Sequence, residues 1–168
     1  QSSQALISGS GFFITSSGYI ATAAHVVRYS QLRVIINDQS VPAYVIAVDY
    51  SKDVAIIKIP THNQDFVTLN PNFVDRTQVA VMGYPLGVSD LRQTWGTAFH
   101  SGITGSYVHL NAYICPGNSG GPIINNYGQS LGVLTNVYAA SIVHRYGCAV
   151  SGFGTSSQYV INLANRSN

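Results

Sequence analysis

The feature that most constrains this chain is a train of short apolar segments rich in Val, Ile, Tyr and Thr, each closed by turn residues. In the first half they cover residues 11–14, 19–23, 32–36, 41–48 and 54–59. In the second half they cover 78–82, 94–102, 109–112, 121–125, 130–137 and 152–155. β-Branched and aromatic side chains suit a pleated, half-buried surface. Runs this short and this evenly spaced predict an all-β barrel or sandwich.

Between the two sets of segments lies residues 62–77, with Pro71 and several Asn and Asp, a composition suited to a connector. The expected organisation is one unit, with an N-terminal lobe at 1–68, a connector at 69–77 and a second lobe at 78–168. A chain of 168 residues can bury roughly 70% of its unfolded surface, enough for a sizeable core. At the C-terminus Ser157 is expected to cap a helix whose apolar residues Val160, Ile161, Leu163 and Ala164 follow helical spacing before Asn165 and Arg166.

Composition excludes several function classes. With 46% hydrophobic and 8% charged residues, the chain is too apolar for disorder. Its formal charge is +2, and no two basic residues adjoin, so neither nucleic acid nor an anionic lipid surface is an expected partner. No stretch approaches 18 apolar residues, and residues 1–4 are polar without an initiator Met. No membrane span or signal peptide is therefore expected, and the chain is expected to have been processed or excised. Two cysteines, Cys115 and Cys148, are too few for a disulfide framework and are not spaced for zinc. No metal or other cofactor is expected.

The segment Cys115-Pro116-Gly117-Asn118-Ser119-Gly120-Gly121-Pro122 sets a serine among glycines. Such a loop either closes a hairpin or presents a nucleophile beside backbone N–H groups, the donors an acyl-transfer oxyanion needs. A serine needs a base to take its proton, and imidazole suits that task near neutral pH. Among five histidines, only His25 follows a strand-like run, in Thr22-Ala23-Ala24-His25-Val26-Val27; it is either a core residue or that base. His62, His100, His109 and His144 lack metal-ligand spacing and read as surface or loop residues. Asp53 directly precedes the most apolar segment, where its carboxylate needs a partner. Asp49 reads as a turn residue.

Taken together, these pieces resemble the chymotrypsin/trypsin-like serine peptidases, most closely the HtrA-type and short viral members. The resemblance rests on Gly9-Ser10-Gly11-Phe12-Phe13-Ile14 leading to Tyr19 through Val27, then Asp53-Val54-Ala55-Ile56-Ile57-Lys58-Ile59, Val79-Ala80-Val81-Met82-Gly83-Tyr84-Pro85, and Gly117-Asn118-Ser119-Gly120-Gly121-Pro122-Ile123. It extends to Gly152-Phe153-Gly154 and so spans nearly the whole chain. It implies two six-stranded antiparallel β-barrels with the active site between them and a C-terminal helix. It also implies a serine endopeptidase acting on protein or peptide substrates, with Ser119 as nucleophile, His25 as general base and Asp53 orienting the histidine. Gly117 and Ser119 would supply the oxyanion-hole N–H groups.

The same resemblance carries further expectations. Cys115 and Cys148 match positions that many secreted members bridge, which tilts the compartment toward an extracellular or other oxidising one. A virus-associated source is compatible as well. The pocket for the residue before the cleaved bond maps to Tyr113, Ile114, Thr135, Asn136 and Val137. It has no carboxylate floor, so small or medium uncharged residues are expected, with Tyr113 filling part of the space; His144 and Arg145 offer an alternative reading that favours acidic side chains. Asn118 stands where digestive members carry the aspartate of their activation ion pair, so no trypsin-type zymogen switch is expected. HtrA-type enzymes usually continue into a peptide-binding PDZ domain, so the chain is expected to belong to a larger precursor or multidomain protein. The rival readings are a catalytically silent binding or structural module, an esterase with the same triad, and a protease that cuts only its own precursor.

Overall fold

The structure, a computed structural model, describes residues 8–28, 31–87, 90–143 and 145–167. In the first half, β1 (Gly11–Phe13), β2 (Tyr19–Thr22), β5 (Tyr44–Asp49) and β6 (Val54–Lys58) form an antiparallel sheet in the order β1-β2-β6-β5. β3 (Arg33–Ile36) and β4 (Gln39–Pro42) form a separate hairpin. Its two loop residues, Asn37 and Asp38, have φ of 51° and 64°, as a tight turn matched to the twist of its strands requires.

The expected run over 41–48 is thus two strands. Pro42 has no N–H to donate, and the Ala43 N–H, donated to the Leu32 carbonyl, adds a last rung to the β3–β4 pair. Among the described residues the first lobe's six strands therefore divide four and two, and they do not close into a hydrogen-bonded barrel.

The second lobe does close. β7 (Thr77–Gly83), β8 (Arg92–Ser101), β9 (Tyr107–Ile114), β10 (Pro122–Ile124), β11 (Ser130–Val137) and β12 (Ala149–Ser156) follow the order β10-β11-β12-β9-β8-β7, and β10 pairs back onto β7. Period-2 alternation sends Val108, Leu110, Ala112 and Ile114 of β9 inward with Val79, Val81, Ala98, Ile123, Leu131 and Leu134. Leu110 is fully buried there; truncating it to Ala would cost about 2–5 kcal/mol in lost transfer energy and cavity.

Among the described residues two α-helices complete the fold, α1 (Ala24–Val27) and α2 (Ser157–Arg166). The cap of α2 is Ser156, one residue earlier than the pattern suggests: its Oγ accepts the Gln158 N–H at 3.2 Å. Ser157 instead donates its hydroxyl to the Ser130 carbonyl at 2.7 Å. Val160 and Leu163 pack with Phe12, Ala21, Val54 and Ile56 of the first lobe and Val133 of the second, so α2 binds the lobes together. The chain between the lobes is tied to the start of β11, where Asn70 N–H donates to the Ser130 carbonyl and Ser130 N–H to that of Thr68.

Candidate active site

His25 sits in α1, a single turn too short to hold itself. The Ala23 cap position supplies no side-chain bond. Asp53, just before the neighbouring strand β6, supplies the missing acceptors. Its carbonyl takes the Ala24 N–H at 3.1 Å and its Oδ1 takes the His25 N–H at 2.8 Å. Oδ2 then lies 2.7 Å from His25 Nδ1. With backbone and ring bound to one carboxylate, the imidazole has a fixed orientation, and Nδ1 carries the proton that Oδ2 accepts. Asp53 reaches this position with φ of 59°, in the left-handed region that Asp enters more readily than most non-glycine residues.

Two consecutive turns form the loop that carries Ser119. Asn118 N–H closes the first onto the Cys115 carbonyl at 3.1 Å, and Gly121 N–H closes the second onto the Asn118 carbonyl at 3.0 Å. Both third positions are glycines with positive φ, Gly117 at 98° and Gly120 at 92°, as type II turns demand. A Cβ on Gly120 would also stand 2.0 Å from the Ser10 carbonyl oxygen. The buried Asn118 amide braces the loop from within, its Oδ1 accepting the Cys115 N–H at 2.9 Å.

Four successive carbonyls of this loop are engaged. Leu86 N–H donates to Pro116 O, Ser10 Oγ to Gly117 O at 2.7 Å, Gly121 N–H to Asn118 O at 3.0 Å and Ser10 N–H to Ser119 O at 2.8 Å. None of the peptides is cis, and in a trans peptide the N–H points opposite to the carbonyl. The bonds on Pro116 O and Asn118 O therefore fix the directions of the Gly117 and Ser119 N–H groups. Among the described residues these two N–H groups have no acceptor, whereas Gly120 N–H is bound to the Leu134 carbonyl at 2.7 Å. The arrangement is a pair of preorganised donors.

Ser10 makes this arrangement possible. Besides its two donations to the loop, its Oγ accepts the Tyr84 N–H at 2.9 Å and its carbonyl accepts the Thr22 hydroxyl at 2.7 Å. Sequence reasoning assigned it no role. The available signal was its place between Gly9 and Gly11: a Cβ on Gly9 would meet Val26 at 2.7 Å and the Ser119 carbonyl at 3.1 Å, so only glycine lets the strand approach this closely.

A cavity of about 260 Å³ brings together His25, Val26, Gly117, Ser119 and, beyond them, Ile114, Pro116, Leu134, Asn136 and Val137. The serine hydroxyl does not point to the histidine: Ser119 Oγ donates to the Thr135 carbonyl at 3.1 Å. The Thr135 hydroxyl is turned away to the Phe153 carbonyl at 3.1 Å. Tyr113, expected to fill part of the pocket, does not line it. Strand alternation buries Ile114 and turns Tyr113 outward, 44% exposed.

The remaining candidates lie elsewhere. Arg145 stacks on Tyr146, its guanidinium 4.8 Å from the ring centroid, and His144 falls outside the described residues. His100 stacks on Phe73 at 3.9 Å, His109 is half-buried on β9 between Asn111 and Tyr138, and His62 is exposed. Cys115 and Cys148 are joined by a disulfide at the start of the Ser119 loop. Among the described residues no group of three His, Cys, Asp or Glu side chains could hold a metal ion, and no helix is long and apolar enough to cross a membrane.

Comparison with known proteins identifies the family of the chain. The profile of the family described as the trypsin-like peptidase domain matches residues 9–133. A periplasmic serine endoprotease, DegP-like, from Chlamydia pneumoniae is 33% identical over 151 residues, covering 83% of this chain and 30% of that protein. The chloroplastic Protease Do-like 1 of Arabidopsis thaliana is 32% identical over 149 residues, covering 80% of this chain and 34% of its own. The chain thus spans about a third of the length of these two curated relatives. The crystal structure of the Rv3671c protease from Mycobacterium tuberculosis in its active form superimposes with a TM-score of 0.83 at 27% identity, covering 98% of this chain and 75% of that one.

Proposed function

This chain belongs to the trypsin-like peptidase family, and from that membership we propose that it is a serine endopeptidase in which Ser119 is the nucleophile, His25 the general base and Asp53 the residue that orients the imidazole. The observation that carries the reading is the double hold of Asp53 on His25, in the cavity that also contains Ser119. It fixes Nδ1 as the protonated nitrogen and leaves Nε2 as the basic one.

Ser119 Oγ first exchanges the Thr135 carbonyl for His25 Nε2, a rotation about one side-chain bond. As Oγ attacks the peptide carbonyl carbon, Nε2 takes the hydroxyl proton, and the carbonyl oxygen gains negative charge facing the Gly117 and Ser119 N–H groups. Collapse of the tetrahedral species breaks the C–N bond, and the imidazolium returns its proton to the leaving amine. Water then repeats the sequence on the acyl-enzyme, yielding the acid and free Ser119. One oxyanion donor of this kind contributes about 10²–10³ in turnover.

Apolar walls from Ile114, Leu134 and Val137, with no carboxylate among the lining residues, support a preference for small or medium uncharged side chains before the cleaved bond. The periplasmic and chloroplastic relatives and the Cys115–Cys148 disulfide support an extracytoplasmic or otherwise oxidising setting, within a larger multidomain protein. We divide the chain functionally at 1–68, 69–77 and 78–168, so that His25 and Asp53 come from one lobe and Ser119 from the other.

The Ser119–Thr135 hydrogen bond favours a second reading, a catalytically silent binding module. One experiment separates the two. A fluorophosphonate probe labels the folded chain but not Ser119→Ala if the endopeptidase reading holds, and a peptide library is then cleaved after small uncharged residues. Folded protein that resists the probe is the silent module.

A further inference from the structure

The residue before Asp53 spans the two lobes. On its own side, the Lys52 N–H donates to Asp49 Oδ1 at 3.1 Å, closing the turn between β5 and β6. On the other side, the Lys52 carbonyl accepts the hydroxyl of Thr155 from β12. Its ammonium lies 5.2 Å from the ring centroid of Tyr107 on β9 and 4.9 Å from that of Tyr159 on α2. Tyr159 is itself fixed, its hydroxyl 2.8 Å from Ser106 Oγ. Both ring distances fall within the range where a cation is attracted to an aromatic face. The two rings and the Thr155 hydroxyl belong to elements that carry no part of the His25–Asp53 pair.

Asp53 itself is bound within the first lobe, its carbonyl accepting the Ala24 N–H and its carboxylate facing His25. Its backbone is left-handed, with φ of 59°. Its carboxylate must satisfy two His25 donors at once, at 2.8 and 2.7 Å, so a small rotation of the Lys52–Asp53 peptide disturbs both. The carbonyl of that same peptide is the acceptor of the Thr155 hydroxyl.

We propose that Lys52 is a positioning residue for the His25–Asp53 pair: its ammonium, held between Tyr107 and Tyr159, and its carbonyl, held by Thr155, anchor the Asp53 backbone to the second lobe. The proposal rests on the triad reading for its effect on turnover, though not for its effect on the His25–Asp53 bond. Removing the cation loosens the anchor while the substrate-lining residues stay in place. Arginine, which also stacks on aromatic faces, preserves it.

The test compares Lys52→Met, Lys52→Gln and Lys52→Arg in the intact chain, with two readouts. The first is kcat and KM per active site titrated with a fluorophosphonate, so that misfolded molecules are not counted. The second is the proton NMR signal of His25 Nδ1–H and its exchange with solvent, which needs no substrate. Lys52→Met and Lys52→Gln are expected to lose about tenfold in kcat with KM within twofold, and to broaden the Nδ1–H signal; Lys52→Arg should keep both within twofold of the parent. Unchanged Met and Gln variants, or an Arg variant as impaired as they are, would overturn the proposal. A fall in kcat with an unmoved Nδ1–H signal would overturn the route through Asp53. Should the parent fail to react with the probe, the triad reading fails, and the Nδ1–H signal in the three variants still decides whether Lys52 positions the pair.

Discussion

Asp53 grips His25 at two points with one carboxylate, the backbone N–H through Oδ1 at 2.8 Å and the ring through Oδ2, 2.7 Å from Nδ1. The first contact is structural, completing a helical turn that has no side-chain cap of its own. The second is chemical, because it selects the tautomer. One residue thus couples the folding of the α1 turn to the tautomer of His25.

That coupling makes Asp53→Asn informative. The amide oxygen can still accept the His25 N–H, so the turn should form. The amide NH2 would face Nδ1, which must then become an acceptor and leave the proton on Nε2. A base protonated at Nε2 cannot take the serine proton, and turnover should fall by about 10⁴ with the fold intact. Kinetics with titrated active sites, together with circular dichroism, check both halves; retained turnover would refute the assigned role.

How far the chain could be read without coordinates follows from where the chemistry is encoded. His25, Asp53 and Ser119 each stand in a short pattern that leaves two readings open by itself, and the proposed roles come only from the four segments taken in order. The strands of the second lobe were legible from their short apolar segments. Ser10 was not, because its role exists only once β1 has placed it against a loop more than a hundred residues away. Tyr113 was misplaced because strand phase, not proximity to Ser119, decides which side chain enters the cavity. Closure of the first lobe is a pairing property, and among the described residues β3 and β4 pair only with each other. The helix cap shifted by one residue because Ser156 and Ser157 can both cap, and the Ser130 carbonyl claims the second hydroxyl.

Ser10→Ala tests whether the oxyanion donors depend on the first lobe. The change removes the hydroxyl that donates to Gly117 O and accepts from Tyr84 N–H. Leaving such groups without a partner costs about 1–3 kcal/mol each. The Gly117–Asn118 peptide then loses one of its restraints, and the oxyanion geometry slackens. Turnover is expected to fall by about 10–100-fold, less than the roughly 10²–10³ for outright loss of a donor, with KM little altered. A variant that is less stable to heat but fully active per titrated site would show Ser10 to be structural only.

Asp49 predicts an acid-sensitive contribution to stability. Burial alone would raise its pKa, but the Ser51 hydroxyl at 2.6 Å, the backbone N–H groups of Lys52 and Ser51, and the nearby Arg166 guanidinium outweigh this, and the carboxyl titrates below the ordinary aspartate value. A carboxylate with a depressed folded-state pKa adds stability that is complete above its unfolded value of about 3.9 and disappears as pH falls through the folded value. Asp49→Asn should therefore be less stable than the parent at pH 6, and the difference should shrink below about pH 4. Urea unfolding across pH 2.5–7 measures it; a gap that stays constant in acid would contradict the assignment.

The disulfide between Cys115 and Cys148 offers the largest single stability test. It closes a loop with a sequence separation of 33, for which the chain-entropy relation gives roughly 3–4 kcal/mol. In a domain of this size each kcal/mol shifts Tm by about 2–4 °C, so reduction or the Cys115→Ser/Cys148→Ser double variant should lower Tm by roughly 6–16 °C. The bridge also stands behind the cavity wall, since Cys115, Pro116 and Gly147 all line the space next to Ser119. Opening it frees that wall while leaving the Asp53–His25 bonds untouched, so KM for peptides should rise more than kcat falls. Calorimetry and kinetics with and without a phosphine reductant give both numbers. Equal Tm values in the two conditions, with thiol titration proving complete reduction, would show that the bridge does not brace the folded chain.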